Sequence, residues 1–594
     1  MSTLDLGVIG NCQISALIDG RGRVVWSCLP RLDGDPVFCS LLDSNTEPQK
    51  GFFDVELEDF SHAEQSYLTN TPILETILHD THGGAVKIVD FAPRFEQFDR
   101  IFRPTAIARY VEPLSGNPRV RIRLRPAADY GAGVPDRTFG SNHIRYVGPE
   151  ITLRLTTDAS ISHVLDEYAF VLDRPLTFLL GPDESLRDSV VRTVRQFFEK
   201  TRDYWQRWVR TLSIPFEWQD AVIRAAITLK LCTFEDTGAL VAAMTTSIPE
   251  AANTVRNWDY RYCWLRDSFF MVHALNRLGA TITMEAYLRY ILDVAAATEG
   301  GRLQPVYGIR GEARLTERMV DSLSGYRNMG PVRVGNQAYE QVQHDVYGSV
   351  ILSATQIFFD RRLSTTGGSE QFQLLELLGG RALELHDQED AGIWEYRGRA
   401  RVHTYSSLMC WAGCDRLGRI ARQLGQGQRS RHWFDGAKKI RARILKDGWN
   451  AELGYFVDSF GGRHIDASML LVNDLGFLPA DDPRFVGTVE AVERELLQDG
   501  HVFRYRTLDD FGEPENAFNI CTLWYINALA ALGRVDEARE LFENMLTSRS
   551  ALGLLSEDLN TETGEQWGNF PQTYSMAGII NVALRLSQPW ERAF

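Results

Sequence analysis

Through the first 185 residues, apolar and polar side chains alternate with a period of two, as at Val120, Ile122 and Leu124 and again at Ile151, Leu153 and Leu155, with turn residues between the runs. Such alternation buries one face of an extended strand and leaves the other in water. Near the start, SALI and RVVWSC flank Asp19-Gly20-Arg21-Gly22, a hairpin signal with glycines available for positive φ. Several strands of this kind predict an antiparallel β-sandwich over residues 1–185.

Between Pro182 and Arg210 the period lengthens to that of a helix, and Val190, Val191, Val194, Phe198, Trp205, Trp208 and Val209 share roughly one face. A helical connector over 186–215 is predicted. From Phe216 onward the pattern predicts twelve helices, at 217–234, 267–280, 281–299, 341–360, 370–387, 403–426, 427–446, 466–475, 481–498, 516–533, 534–547 and 573–587. Their apolar stripes are broad, for example Tyr347, Val350, Ile351, Ala354, Ile357 and Phe358, as helices sharing one core require. No 20 to 50-residue repeat marks a solenoid. Six helical hairpins of unlike sequence instead predict a closed (α/α)6 toroid barrel over 216–594.

The intervals 235–266, 300–340, 388–402, 448–465, 499–515 and 548–572 carry Trp, Arg, Glu and Gly residues with no obvious packing role. Loops of that length are usually functional or disordered, and these are too aromatic for disorder. They are expected to form a rim around one end of the toroid and to hold the site, with one loop of the sandwich joining them.

Composition narrows the classes. With 594 residues, 44% of them apolar, the chain can build more than one domain. A formal charge of −15 without a dense Lys/Arg stripe argues against nucleic acid. There is no apolar run long enough to span a membrane, and the opening MSTLDLGVIGNCQ lacks the features of a secretory signal, so a cytoplasmic protein is expected. The eight cysteines form no CxxC pair and have no His at zinc-finger spacing. They read as reduced structural thiols, with Cys410 and Cys414 on one side of a helix, and no metal is expected. A small-molecule ligand is the expected partner, and a homo-oligomer is compatible with the sequence.

Three places hold candidate chemistry. Glu395 lies in AGIWEYRGR, between Trp394 and Arg397, where aromatic shielding would raise a carboxyl pKa and the arginines would lower it. A surface salt bridge fits the same residues. Glu557 lies in GLLSEDLNTETGEQWGNFPQTYS beside Asp558, Glu562 and Glu565, a composition shared by solvated loops, although Trp567 and Phe570 are interleaved. Arg266 and Asp267 stand where the aromatic run NWDYRYCWLRDSFFMVHAL enters a helix. Asp267 there is either an N-cap or half of a pair gripping sugar hydroxyls.

The runs RNWDYRYCWLRDSFF, GIWEYRGRARVHTYSSLMCWAGCDR and GLLSEDLNTETGEQWGNFPQTYS resemble, in order and spacing, glycoside hydrolase family 15, which contains glucoamylases and trehalases. The opening LGVIGNCQISALIDGRGRVVWSCLPRLDGDPVFCSLLD resembles the trehalase-like N-terminal domain of bacterial and archaeal members. The resemblance implies a β-sandwich followed by an (α/α)6 barrel, Glu395 as general acid, Glu557 as general base, and Arg266 and Asp267 as the pair holding the non-reducing glucose. It implies Trp264 and Trp394 as aromatics of that subsite and Arg397, Trp567 and Gln572 as further lining residues. No cofactor is implied. Many relatives place a His near the position of Met576, a departure in this chain.

The activity implied is inverting, exo-acting hydrolysis of an α-glucoside with release of β-glucose. Trehalose is the favoured substrate, with short α-1,4 or α-1,6 gluco-oligosaccharides as the alternative. A disaccharide phosphorylase, in which phosphate replaces the activated water, and a non-catalytic sugar-binding protein share the architecture.

Overall fold

A computed structural model describes residues 3–43 and 47–592. Among the described residues, its first third is built on two antiparallel sheets, of seven and eight strands, closed on one another. The alternation seen in sequence is what packs them: in Arg119–Arg125 the residues Val120, Ile122 and Leu124 are buried and the arginines between them are not. These three meet Leu78, Val86, Ile88, Ile144, Leu155 and Phe178 of the opposite sheet in one cluster. The 19–22 turn joins Ser15–Ile18 to Val24–Leu29, with Gly22 at φ +79° and the Asp19 carboxylate accepting from the backbone N–H of Arg21 and Arg23.

After the last sandwich strand, Leu176–Pro182, the connector is a single helix, Val190–Arg210. Val190, Val194, Trp205 and Val209 are buried on one side. Val191, counted on that face from spacing, is 45% exposed, because one residue along a helix turns the side chain by about 100°.

All twelve helical segments expected from the sequence are present, and they form two rings. Ser268–Arg277, Asp345–Ala354, Thr404–Gln423, the short turn and helix over 467–474, Asn519–Ala531 and Thr573–Leu586 touch in sequence order, and the sixth closes on the first. Gln219–Leu231, Thr281–Ala297, Ser369–Leu385, Gly427–Asp447, Pro483–Glu495 and Val535–Thr547 pack outside them. Burial on every side explains the broad stripes: all ten residues of Asp345–Ala354 are buried. The 341–360 segment is shorter than expected, with the first helix ending at Ala354 and a separate turn at Gln356–Phe359. Both Cys410 and Cys414 are buried in Thr404–Gln423, and all eight cysteines are free.

The inner helices begin where the long loops arrive, so the loops gather at one end of the barrel. Short ladders pin them there, Cys263–Trp264 on Val306–Tyr307 and the three strands Ala517–Phe518, Asp558–Leu559 and Gln566–Trp567. Backbone hydrogen bonds thus fix loops whose sequence shows no strand pattern. The sandwich locks onto the same region. Trp26 donates its indole N–H to Met244 O at 2.8 Å, and fully buried Arg261 donates to Gly34 O at 2.8 Å while pairing with Asp259 at 2.7 Å. No membrane-length apolar helix occurs among the described residues.

Candidate active site

The loops enclose a cavity at the N-terminal ends of the inner helices, with an empty volume of about 910 Å³ counted out to its mouth. Of the nine residues singled out from the sequence, eight line it: Trp264, Arg266, Asp267, Trp394, Glu395, Arg397, Glu557 and Gln572. Trp567 does not. Its ring is buried edge-on to Tyr326 at 6.1 Å, with the Arg327 guanidinium stacked on it at 5.3 Å, so it packs the loop from behind. Among the described residues, none of the sandwich reaches the cavity wall either. That domain acts through the layer behind, where Tyr130 and Gly34 hold Arg261 next to Tyr260. Met576 is fully buried in its helix, so the departure there does not alter the wall.

Glu395 is held by three neighbours. Its Oε1 accepts from the Trp264 indole at 2.7 Å and from Arg266 Nη1 at 3.1 Å, while its carbonyl accepts from Gln341 Nε2 at 3.1 Å. Its backbone lies at φ +59°, in the left-handed region that a residue with a Cβ rarely occupies. Such strain persists only where surrounding contacts dictate it, and it is concentrated at functional sites.

Arg266 is the hub of this end. Besides Glu395 it donates to Ile393 O at 2.7 Å and, through Nε, to Asp267 Oδ1 at 3.2 Å. Asp267 precedes the helix Ser268–Arg277 but makes no capping bond to its backbone. Of the two roles open to it in sequence, the cap is therefore absent, and the carboxylate is available to the cavity. Burial raises its pKa, and the Arg266 charge opposes that rise.

Glu557 lies deeper, 3% exposed, with Oε1 accepting from the Tyr260 hydroxyl at 2.8 Å and Gln572 Nε2 at 3.5 Å. Gln572 reaches it because its other amide atom caps the helix Thr573–Leu586, accepting from Ser575 N at 3.1 Å. Tyr260 and Trp264, which hold the two glutamates, sit edge-to-face with ring centroids 5.2 Å apart. One aromatic pair therefore sets the relative placement of both carboxylates.

Burial, and after it the charge of Glu250, pushes the Glu557 carboxyl above the usual carboxylate range. Asp558 is raised with it, by burial first and the Glu557 charge second. Arg504 opposes both from its pairing with Glu250 at 2.5 Å. Gly568, at φ +76°, packs against this carboxylate so closely that a Cβ there would lie 2.7 Å from Glu557 Cβ.

Trp394 packs edge-on to Phe518 at 5.8 Å, and Arg397 stacks over Trp258 at 4.2 Å. Sequence reasoning passed over Tyr260, Glu250, Arg256, Trp258, Arg504, Asp509 and Tyr574, all on the wall. Four of these, Arg256, Trp258, Tyr260 and Tyr574, lie inside the motif runs, so the signal available was membership of those runs. Glu250, Arg504 and Asp509 arrive from elsewhere and had none.

Two carboxylates on separate supports, with arginine and aromatic side chains around them in a cavity at one end of an α/α toroid, are the arrangement that glycoside cleavage uses. The family model described as glycosyl hydrolases family 15 matches residues 218–584, and a trehalase-like N-terminal model matches residues 4–157. The chain belongs to glycosyl hydrolases family 15. It is 31% identical to a trehalase of Thermoplasma volcanium, over 98% of this chain and 93% of that one. A trehalase of Mycolicibacterium smegmatis is 33% identical over 99% and 92%. Among solved structures, a bacterial glucoamylase complexed with acarbose superposes with a TM-score of 0.70 at 12% identity, covering 98% of this chain and 94% of that one, so the architecture is shared end to end.

Proposed function

We propose that this enzyme is an inverting, exo-acting α-glucosidase whose substrate is trehalose, with Glu395 as general acid and Glu557 as general base. The observation carrying the roles is the unequal support of the two carboxylates. Both protein donors to Glu395 bind Oε1, which leaves Oε2 to carry the proton delivered to the glycosidic oxygen. Glu557 is deep and shares its surroundings with the like charge of Glu250, and a carboxylate of raised pKa is the stronger base once ionised. Inversion requires a water between Glu557 and the anomeric carbon, which corresponds to carboxyl groups about 6.5–9.5 Å apart, and it releases the first glucose as the β anomer. Arg266 and Asp267 would hold the terminal glucose, with Trp264, Trp394 and Gln572 around it and Arg397 at the entrance.

Trehalose rests on the two full-length trehalase relatives. Phosphorolysis is disfavoured by charge: a phosphate in the water's place would meet Glu250, Glu557 and Asp558, while Arg504 and Arg256 are already paired with Glu250 and Asp509. We read the chain as a sandwich (1–185), a connector (186–215) and a catalytic barrel (216–594). Eight free, buried thiols suit a reducing cytoplasm.

The test is glucose release from trehalose, maltose, isomaltose and maltotriose, with and without phosphate, and the anomer followed by proton NMR. Trehalose turnover independent of phosphate, with β-glucose appearing first, is expected. Glu395→Gln and Glu557→Gln should each lower kcat by about 10²- to 10⁴-fold with unchanged melting. Near-normal turnover in either purified variant would sink that residue's assignment.

A further inference from the structure

The mouth of the cavity is edged by a girdle that the catalytic roles do not use. A turn over 508–512 crosses it, folded by Asp509 N donating to Gly512 O at 2.9 Å and by Phe511 N donating to the Asp509 carboxylate at 2.7 Å. Two separate loops grip this turn. Arg256 clasps Asp509 with both guanidinium nitrogens, at 2.8 and 2.5 Å, and also donates to Gly512 O at 2.8 Å, in a pair whose side chains are at most 6% exposed. From the other side, Arg397 N donates to Asp510 at 2.7 Å. The Gly398 next to it permits this approach, since a Cβ there would lie 2.4 Å from Asp510 Oδ1. The rings then lock: Trp258 meets Phe511 at 5.2 Å, and the Arg397 guanidinium lies over Trp258 at 4.2 Å and over Phe511 at 5.8 Å.

The girdle joins the cavity two residues beyond Glu395, because Arg397 belongs to both. A leaving group protonated by Glu395 therefore lies between that carboxylate and the turn. Phe511, 37% exposed, and Asp510 line the cavity there at its rim.

We propose that the 508–512 turn, clasped by Arg256 and Arg397, is the specificity-determining wall that limits the substrate to two sugar units. It rests on the hydrolase reading above. One unit occupies the deep end at Arg266 and Asp267, the second fills the space up to Phe511, and a third sugar has no exit. A buried bidentate arginine pair suits this role because such a pair fixes a loop's position more than it adds stability.

The experiment compares kcat/KM for disaccharides (trehalose and maltose) with that for maltotriose, in the wild type and in Asp510→Ala and Phe511→Gly, neither of which unpairs the buried arginine. The wild type is expected to prefer its better disaccharide strongly. Each variant is expected to narrow that preference by about tenfold or more, a range that pocket walls commonly supply. A wild type that cleaves maltotriose as well as its better disaccharide overturns the wall outright, so the proposal does not depend on the variants folding. Variants with wild-type melting and unchanged preference overturn it as well. Should maltose be cleaved and trehalose not, the substrate assignment fails while the wall is still tested by maltose against maltotriose.

Discussion

Tyr260→Phe isolates one hydrogen bond at the proposed base. The tyrosine is buried and its own pKa is pushed well above the ordinary phenol value, by burial first and the Glu557 charge second, so it keeps its proton and donates at 2.8 Å. A bond of this kind to an ionised group is worth about 1.5–3 kcal/mol, and one pKa unit corresponds to about 1.36 kcal/mol. The bond favours the carboxylate, so its loss raises the Glu557 pKa further, by about one to two units. The base works only when ionised, so the acidic limb of the kcat/KM profile moves to higher pH by that amount. Below the limb, activity falls by roughly 10- to 100-fold, whereas above it little changes, because the phenyl ring still packs against Trp264. The assay is trehalose hydrolysis at constant ionic strength across pH 4–11, with circular dichroism to confirm the fold. Glu250→Gln serves as the control of sign: the Glu250 charge is the second cause of the elevation, so its removal moves the same limb to lower pH. An unmoved limb in Tyr260→Phe, or shifts of equal sign in both variants, refutes Glu557 as the group that titrates.

Three further outcomes are expected. Gly568→Ala meets both a backbone cost of roughly 1–2 kcal/mol for positive φ and the Glu557 Cβ at 2.7 Å, so kcat falls by about 10²-fold through misplacement of the base; wild-type kcat in that variant would disprove the close packing. Trp567→Ala removes a core ring and costs about 3–5 kcal/mol of stability, with KM unchanged at permissive temperature; a raised KM with unchanged melting would return Trp567 to the cavity wall. Asp466, lifted to about 7 chiefly by burial, binds its proton more tightly folded than unfolded, where its pKa is about 3.9. Its contribution to stability is full below that value and is lost as pH rises to about 7. Asp466→Asn keeps an acceptor for Ser468 N, so melting curves from pH 4 to 8 should show a flatter decline in the variant; parallel declines count against the assignment.

The sequence by itself determined the fold class, because period-two and period-3.6 burial are properties of consecutive residues. The sandwich strands, the connector and all twelve barrel helices follow from that patterning, and the exceptions are local, such as Val191 turning off its face and the helix over 345–354 ending early. The two glutamates were legible as candidates through their Trp, Arg and Gly neighbours, and order and spacing made them a pair. Nothing consecutive in the chain could show that Trp264 and Arg266 hold Glu395 across 131 and 129 residues, or that Tyr260 holds Glu557 across 297. The same holds for Glu250 beside Glu557 and for the clasp of Arg256 on Asp509. Only closure of the ring brings six loop segments to one end of the barrel. There, removal from water makes each charge and donor act over a few ångströms, and that proximity sets what surrounds each carboxylate and which loop lies at the mouth. Trp567 fits the same account: the family resemblance implies a lining residue, but tertiary packing turns its ring away from the cavity and into the loop's own core.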